Sequence, residues 1–166
     1  MCITSPPYWN LRDYGIAEQL GLETTPDKFV NNLCDVFDEV QRVLQPHGTC
    51  WVNLGDTYIS GKSHQSIYKD KSLAMIPNRF AIEMVNRGWI LRNELIWHKP
   101  NCMPESVKDR FTNDYEKLLF FTKNSRYYFK QQFEPLKESS ISDGRNKRAV
   151  WVINPPLYKE AHFATF

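Results

Sequence analysis

Residues 5–8 of the 166-residue chain read Ser-Pro-Pro-Tyr, and their types suit one kind of chemistry. The Ser5 hydroxyl and the Pro6 carbonyl are both hydrogen-bond acceptors. Converging on the exocyclic amino group of a nucleobase, they would take its two hydrogens and pull the nitrogen towards a tetrahedral shape. That localises a lone pair the ring otherwise delocalises and aims it at an electrophile. The prolines, Pro6 and Pro7, lock φ, which matters where a small displacement of a reacting atom costs orders of magnitude in rate. Tyr8 adds a flat face, and stacking on an aromatic ring returns roughly 1–3 kcal/mol to a base that has left its duplex. Taken alone, the four residues also read as a rigid turn.

Other side chains with chemical potential are more isolated. His98, between Trp97 and Lys99, has no second histidine or carboxylate at metal-ligand spacing, so no metal is expected. Cys2, Cys34, Cys50 and Cys102 form no Cys-x-x-Cys pair, which argues against a zinc ribbon and suits free thiols in a reducing compartment. Asp56 either approaches a substrate amine or closes a strand-end turn. Trp51, Trp89 and Trp151 read as core, with Trp97 the more open case. The formal net charge of +2 is too small to attract nucleic acid through a global field. Basic residues do cluster locally: Lys99, Lys108, Arg110, Lys123, Arg126 and Lys130 in one stretch, and Arg145, Lys147 and Arg148 in another. Both clusters are compatible with a phosphate-facing surface and with a solvated basic face.

The elements that must position these residues follow from periodicity. Met1–Thr4 reads as the end of a strand that Pro6 and Pro7 cannot continue. Thr25 before Pro26 is an N-cap and first-turn pair, and Phe29, Val30, Leu33, Phe37, Val40 and Leu44 recur at helical steps until Pro46 and Gly48. Thr49–Leu54 reads as a buried strand ending at Gly55-Asp56. Tyr58–Ser72 is polar and reads as a mobile loop. Ile76–Asn86 suits a second helix stopped by Gly88, followed by a strand from Trp89 to Trp97 that Pro100 ends. Leu118–Thr122 and Tyr127–Phe129 read as a hairpin around residues 123–126, and Ala149–Ile153 as a last short strand. The expected fold class is therefore α/β, one compact domain with an antiparallel hairpin added to the sheet. No run approaches the roughly 20 apolar residues of a membrane helix, and no signal segment opens the chain. The expectation is a cytoplasmic protein with no membrane partner.

With these landmarks in order, the chain resembles the β-group of amino-DNA methyltransferases, in which the catalytic motif precedes the cofactor motif, and especially its cytosine-N4 members. The likeness runs through Ser5–Tyr8, Trp9–Gly15, Val43-Leu44 to Gly48, Asn53-Leu54-Gly55-Asp56 and Ile96–Asn101. It continues through Met103–Arg110, Glu116, Gly144–Arg148 and Ala161–Phe166. The resemblance implies a partial Rossmann-like methyltransferase sheet and S-adenosylmethionine as cofactor. Ser5, Pro6, Pro7 and Tyr8 would be catalytic, and His162, Phe163, Ala164, Thr165 and Phe166 would lie against the methionine end of the cofactor. Double-stranded DNA is the implied partner, with Arg12, Lys99, Lys108, Arg110, Arg145, Lys147 and Arg148 near it and residues 124–159 carrying target recognition. Serine at the first motif position is the form similar cytosine-N4 enzymes use, whereas adenine-N6 enzymes more often carry aspartate. Cytosine N4 is the implied target, with adenine N6 or a non-catalytic DNA-binding fragment as alternatives.

In that family a glycine-rich cofactor loop follows the segment matched by His162–Phe166, and none of the seven glycines here forms a Gly-x-Gly after a strand. The expectation is a chain lacking that C-terminal half, completed by it or by a homodimer partner. Pro155-Pro156-Leu157-Tyr158 fits the pattern of peptides recognised by WW-type domains, but a stiff, extended linker is the plainer reading and the one adopted.

Overall fold

A computed structural model describes residues 1–60, 68–135 and 144–154. In chain order the elements are β1 (Cys2–Thr4), α1 (Pro26–Val43), β2 (Thr49–Leu54), α2 (Ile76–Asn86), β3 (Ile90–His98) and β4 (Tyr115–Thr122). The short strands β5 (Phe133–Glu134), β6 (Arg145–Asn146) and β7 (Val150–Val152) follow. Five strands form one sheet in the order β1-β2-β4-β3-β7, and β5 pairs with β6 in a separate ribbon. β1 runs parallel to β2 and β7 parallel to β3, while β4 is antiparallel to both of its neighbours.

Local chemistry accounts for most of these boundaries. Thr25 is extended and its hydroxyl accepts the Lys28 amide at 3.2 Å, so α1 begins on a side-chain cap with Pro26 in its first turn. Its buried residues Phe29, Val30, Leu33, Cys34 and Phe37 form one stripe. Parallel strands need a crossover, and α1 supplies it between β1 and β2. Met75, before α2, is left-handed at φ 61° and offers no side-chain cap. Asp56 does that work from the end of β2, its Oδ1 accepting the Ile76 amide at 3.0 Å and the Thr57 amide at 2.9 Å. The strand-end reading of Asp56 is therefore the one its hydrogen bonds match.

Side chains alternate across β2 and β4. Cys50, Val52, Leu54, Leu119 and Phe121 face α1 and α2 and form the core, with Phe80 edge-on to Phe37 at 5.2 Å and to Phe121 at 6.1 Å. Arg87, at the end of α2, reaches Asp35 and Asp38 of α1 at 2.6 and 2.7 Å and fastens the two helices together. The residues between them in the strands, Trp51, Asn53, Glu116, Leu118 and Phe120, point to the opposite face. No described helix is long and apolar enough to cross a membrane.

Two expectations, the hairpin and the tryptophan core, need correction. The hairpin does not join Leu118–Thr122 to Tyr127–Phe129. β4 pairs with β3 from Ile90↔Thr122 to His98↔Tyr115 and with β2 on its other side, so no free edge remains for residues 127–129, which form no strand. The turn after β4 instead docks on the exit of α1, where Lys123 Nζ donates to the Leu44 carbonyl and Asn124 to that of Pro46. The ends of the expected loop over 58–72 are held by backbone pairing: Ile59 N to Ser72 O at 2.8 Å, Lys71 N to Ile59 O at 2.9 Å, and a Tyr58–Leu73 bridge, with Ile59 buried. Of the three tryptophans assigned to the core, only Trp89 is fully buried. Trp51 and Trp151 are half-buried, on faces that α1 and α2 do not cover.

Candidate active site

The Ser5–Tyr8 loop leaves the C-terminal end of β1, beside the C-terminal end of β2. In open α/β sheets ligands bind outside such ends. The loop is anchored by the next residue. Trp9 is 1% exposed, packs in the helix-side core, and donates its indole N–H to the Glu23 carbonyl at 2.9 Å. Gly21, at φ +104°, lies so close behind the loop that a Cβ would stand 2.9 Å from the Tyr8 carbonyl oxygen. Asn10 N bonds Gly21 O at 2.7 Å and closes this support.

Tyr8 is held at both ends of its ring. Its edge packs on Gly55, where an added Cβ would meet Cε2 at 2.5 Å. Its hydroxyl donates to Glu116 Oε2 at 2.8 Å and accepts from Asn53 Nδ2 at 2.9 Å, while Asn53 also donates to Glu116 Oε2 at 2.7 Å. Lys99 forms an ion pair with Glu116 Oε1, and the two side chains are 20% and 17% exposed. At this burial, loss of one partner is costly because it leaves the other charge uncompensated away from water. Burial, followed by the nearby Glu116 charge, raises the Tyr8 phenol well above its ordinary range, so it stays protonated and available as a donor. Ser5 is exposed, with Oγ 3.4 Å from the Tyr8 hydroxyl. Burial also raises the Asp56 carboxyl, opposed by the Ile76 and Thr57 amides.

These groups border a cavity of about 410 Å³ lined by Tyr8, Gly55, Asp56, Asn78, Lys99 and Glu116, among others. Its size lies within the roughly 300–1,000 Å³ of small-molecule sites. Its lining joins an aromatic ring to several donors and acceptors, and Asn53 Oδ1, buried nearby, has no hydrogen-bond partner among the described residues.

The basic residues expected near DNA are dispersed. Lys99 is inside the site, on Glu116, with its ammonium 4.9 Å from the Trp97 ring. Arg110 pairs with Glu105, which lines the cavity, and stacks over Tyr58 at 4.1 Å. Arg12 and Lys108 are exposed. Arg145 and Arg148 both reach Glu134, at 2.7 and 2.6 Å, and Lys147 lies 4.3 Å over Trp151. Lys147 and Arg148 border a second cavity of about 730 Å³, lined by Met1, Trp51, Phe120 and Phe129 and sharing no lining residue with the first. His98 pairs with Asp114 at 3.3 Å. His162, Phe163, Ala164, Thr165 and Phe166, and the Pro155–Tyr158 motif, lie outside the described residues.

A family model of N6/N4 methyltransferases, described as DNA methylase, matches residues 1–166. The chain belongs to this DNA methylase family. Among its relatives, Type II methyltransferase M.Cfr9I of Citrobacter freundii is 44% identical over 184 aligned positions, covering 99% of this chain and 61% of the relative. M.SmaI of Serratia marcescens is 40% identical, with 99% of this chain and 63% of the relative covered. The chain thus spans about three-fifths of the length of these methylases. PvuII DNA methyltransferase, titled cytosine-N4-specific, superposes at a TM-score of 0.63 with 19% identity, over 96% of this chain and 52% of the other. The Thermus thermophilus protein TTHA0409 superposes at a TM-score of 0.57 with 23% identity, over 91% of this chain and 58% of the other. At these identities the superpositions establish a shared Rossmann-like fold.

Sequence reasoning names the Ser5–Tyr8 loop but not its supports. Trp9, Asn53 and Glu116 stand out as landmarks of the resemblance, and Gly55 as one of them and as a strand end, none with a stated role. A glycine closing a buried strand is the available signal for Gly55, since it marks close approach by other groups. Nothing local links Glu116 to a tyrosine 108 positions away.

Proposed function

We propose that this chain carries the base-binding part of a DNA methyltransferase that moves a methyl group from S-adenosylmethionine to the N4 amino group of a flipped cytosine. The observation that carries this reading is Tyr8, clamped between Gly55 and the Asn53–Glu116 pair at the wall of a polar cavity. A fixed ring is a stacking platform for an extruded base. Ser5 Oγ and the Pro6 carbonyl then accept the amino hydrogens and turn the nitrogen lone pair towards the donor. The polar cavity at the strand ends fits an amino-bearing ring next to such a donor. S-adenosylmethionine, when bound, supplies an electrophilic methyl group, and His162, Phe163, Ala164, Thr165 and Phe166 are the residues proposed to hold its methionine end.

Duplex DNA is the proposed macromolecular substrate, with Arg12, Lys108, Arg110, Arg145, Lys147 and Arg148 contacting phosphates and residues 124–159 contributing target recognition. Lys99 belongs to the Glu116 pair and serves the site from within. The sequence similarity to Type II methyltransferases supports a place in a restriction-modification pair inside a prokaryotic cell. We retain one domain over residues 1–166, completed by further polypeptide or by a second copy.

The test is transfer of labelled methyl groups from S-adenosylmethionine to mixed-sequence duplex DNA by the full-length protein, with the product digested to nucleosides. N4-methylcytosine is expected. N6-methyladenine selects the adenine alternative, and DNA binding with no incorporated label selects the non-catalytic one.

A further inference from the structure

The hydrogen count around Tyr8 fixes what Ser5 can do. A phenol has one hydrogen, and that of Tyr8 goes to Glu116 Oε2. Its oxygen then accepts from Asn53 Nδ2 at 2.9 Å and from the Ser5 hydroxyl at 3.4 Å. Glu116 cannot return a hydrogen, because Lys99 occupies Oε1 and Asn53 adds a second donor to Oε2. Ser5 has one hydrogen as well, and with it turned towards Tyr8 its exposed oxygen presents only lone pairs.

We infer that Glu116 is a positioning residue that acts through Tyr8 to make Ser5 an obligate acceptor, so that the site admits a base with an amino group and rejects one with a carbonyl at the same place. The inference rests on the amino-methyltransferase reading of this site and adds a residue and a selection rule to it. The carboxylate polarises the Tyr8 hydroxyl, whose oxygen becomes a better acceptor for Ser5, whose oxygen becomes a better acceptor for the amino N–H; hydrogen bonds in a chain strengthen one another in this way. A neutral serine at the front of the motif is thereby backed by a charge placed two hydrogen bonds behind it. Cytosine offers Ser5 a donor at N4. Uracil offers an oxygen there, and two acceptors left facing each other in a partly dehydrated site are penalised.

The experiment uses the full-length protein with Tyr8→Phe, Glu116→Gln and the double variant. Methylated sites on DNA are mapped first, and duplexes are then made with cytosine or uracil at the target position. Each single variant is expected to lower kcat by on the order of tenfold with little change in KM, as for an interaction realised in the transition state. The double variant is expected to lose no more than the worse single, because both break one chain. The ratio of affinities for cytosine over uracil duplexes should fall on the order of tenfold in Tyr8→Phe, whose Ser5 hydrogen is released to donate. This ratio is a binding measurement, independent of methyl transfer by the variants. In protein carrying carbon-labelled tyrosine, the Tyr8 ζ-carbon resonance, assigned by its loss in Tyr8→Phe, should move in Glu116→Gln.

Should Glu116→Gln fail to fold with Lys99 left unpaired, Lys99→Gln/Glu116→Gln replaces it, removing both charges together. Losses that multiply in the double variant, or a cytosine-to-uracil ratio unchanged in Tyr8→Phe, overturn the inference while leaving the methyltransferase reading intact. If the unsubstituted protein methylates no base, that reading fails and the inference fails with it.

Discussion

Trp51 and Asn53 are two residues apart on the same face of β2, yet they belong to different environments. Asn53 joins Tyr8, Glu116 and Lys99 in one network of hydrogen bonds and an ion pair. Trp51 stacks on Phe120 with ring centroids 4.0 Å apart and planes 7° from parallel, and Phe129 continues the stack at 5.9 Å. The strand carries the polar cavity at one end and the aromatic one at the other. Hydrogen bonds are directional and fix a side chain to a fraction of an ångström, whereas aromatic contact tolerates sliding and mainly removes area from water. Chemistry that depends on placing an amino nitrogen belongs at the first end, and the second contributes stability.

The sharpest way to break this contrast is to unseat the loop. Trp9→Ala should cost about 3–5 kcal/mol of stability in denaturant unfolding, the usual range for a buried tryptophan. A loss below about 1 kcal/mol would mean that the loop is anchored elsewhere. Tyr8→Ala should lower kcat/KM by about 1–3 kcal/mol through lost stacking. A normal rate would remove the platform role. Gly55→Ala removes no polar group but pushes the ring off its seat, and kcat is expected to fall about tenfold, since misplacement alone is costly. An unchanged kcat would show that the ring has slack.

At the aromatic end, Trp51→Ala should reduce stability, with about 0.5–1.5 kcal/mol of the loss attributable to the stacked pair, and leave kcat unchanged. A lower kcat at unchanged stability would merge the two regions into one functional unit. The smallest expected effects are those of Arg145→Ala and Arg148→Ala. Each should reduce the slope of log affinity against log salt by roughly one unit if it meets a phosphate. Equal slopes would leave both arginines as partners of Glu134 alone.

Signals in the chain are legible where the chemistry is local. The Thr25 cap, the helical stripe through Phe37, the strand from Thr49 and the stop at Gly88 all depend on neighbours within a few residues. The observed pairing departs from the expected hairpin because pairing is a contest for edges. Tyr127–Phe129 has strand-forming residues, but β4 gives one edge to β2 and the other to β3. Residue type alone puts Trp51 and Trp151 in the core, and only packing decides which face a helix covers.

By itself, the sequence determined the family, the alternation of helices and strands, and the loop that carries Ser5 and Tyr8, because caps, periodicity and a proline-stiffened motif are written in adjacent residues. The tertiary structure decided what stands behind that loop. Glu116 and Asn53 reach Tyr8, and Lys99 reaches Glu116, from three different strand ends, and the positions at which those ends meet are set by sheet register, a property of paired backbones that no single segment encodes.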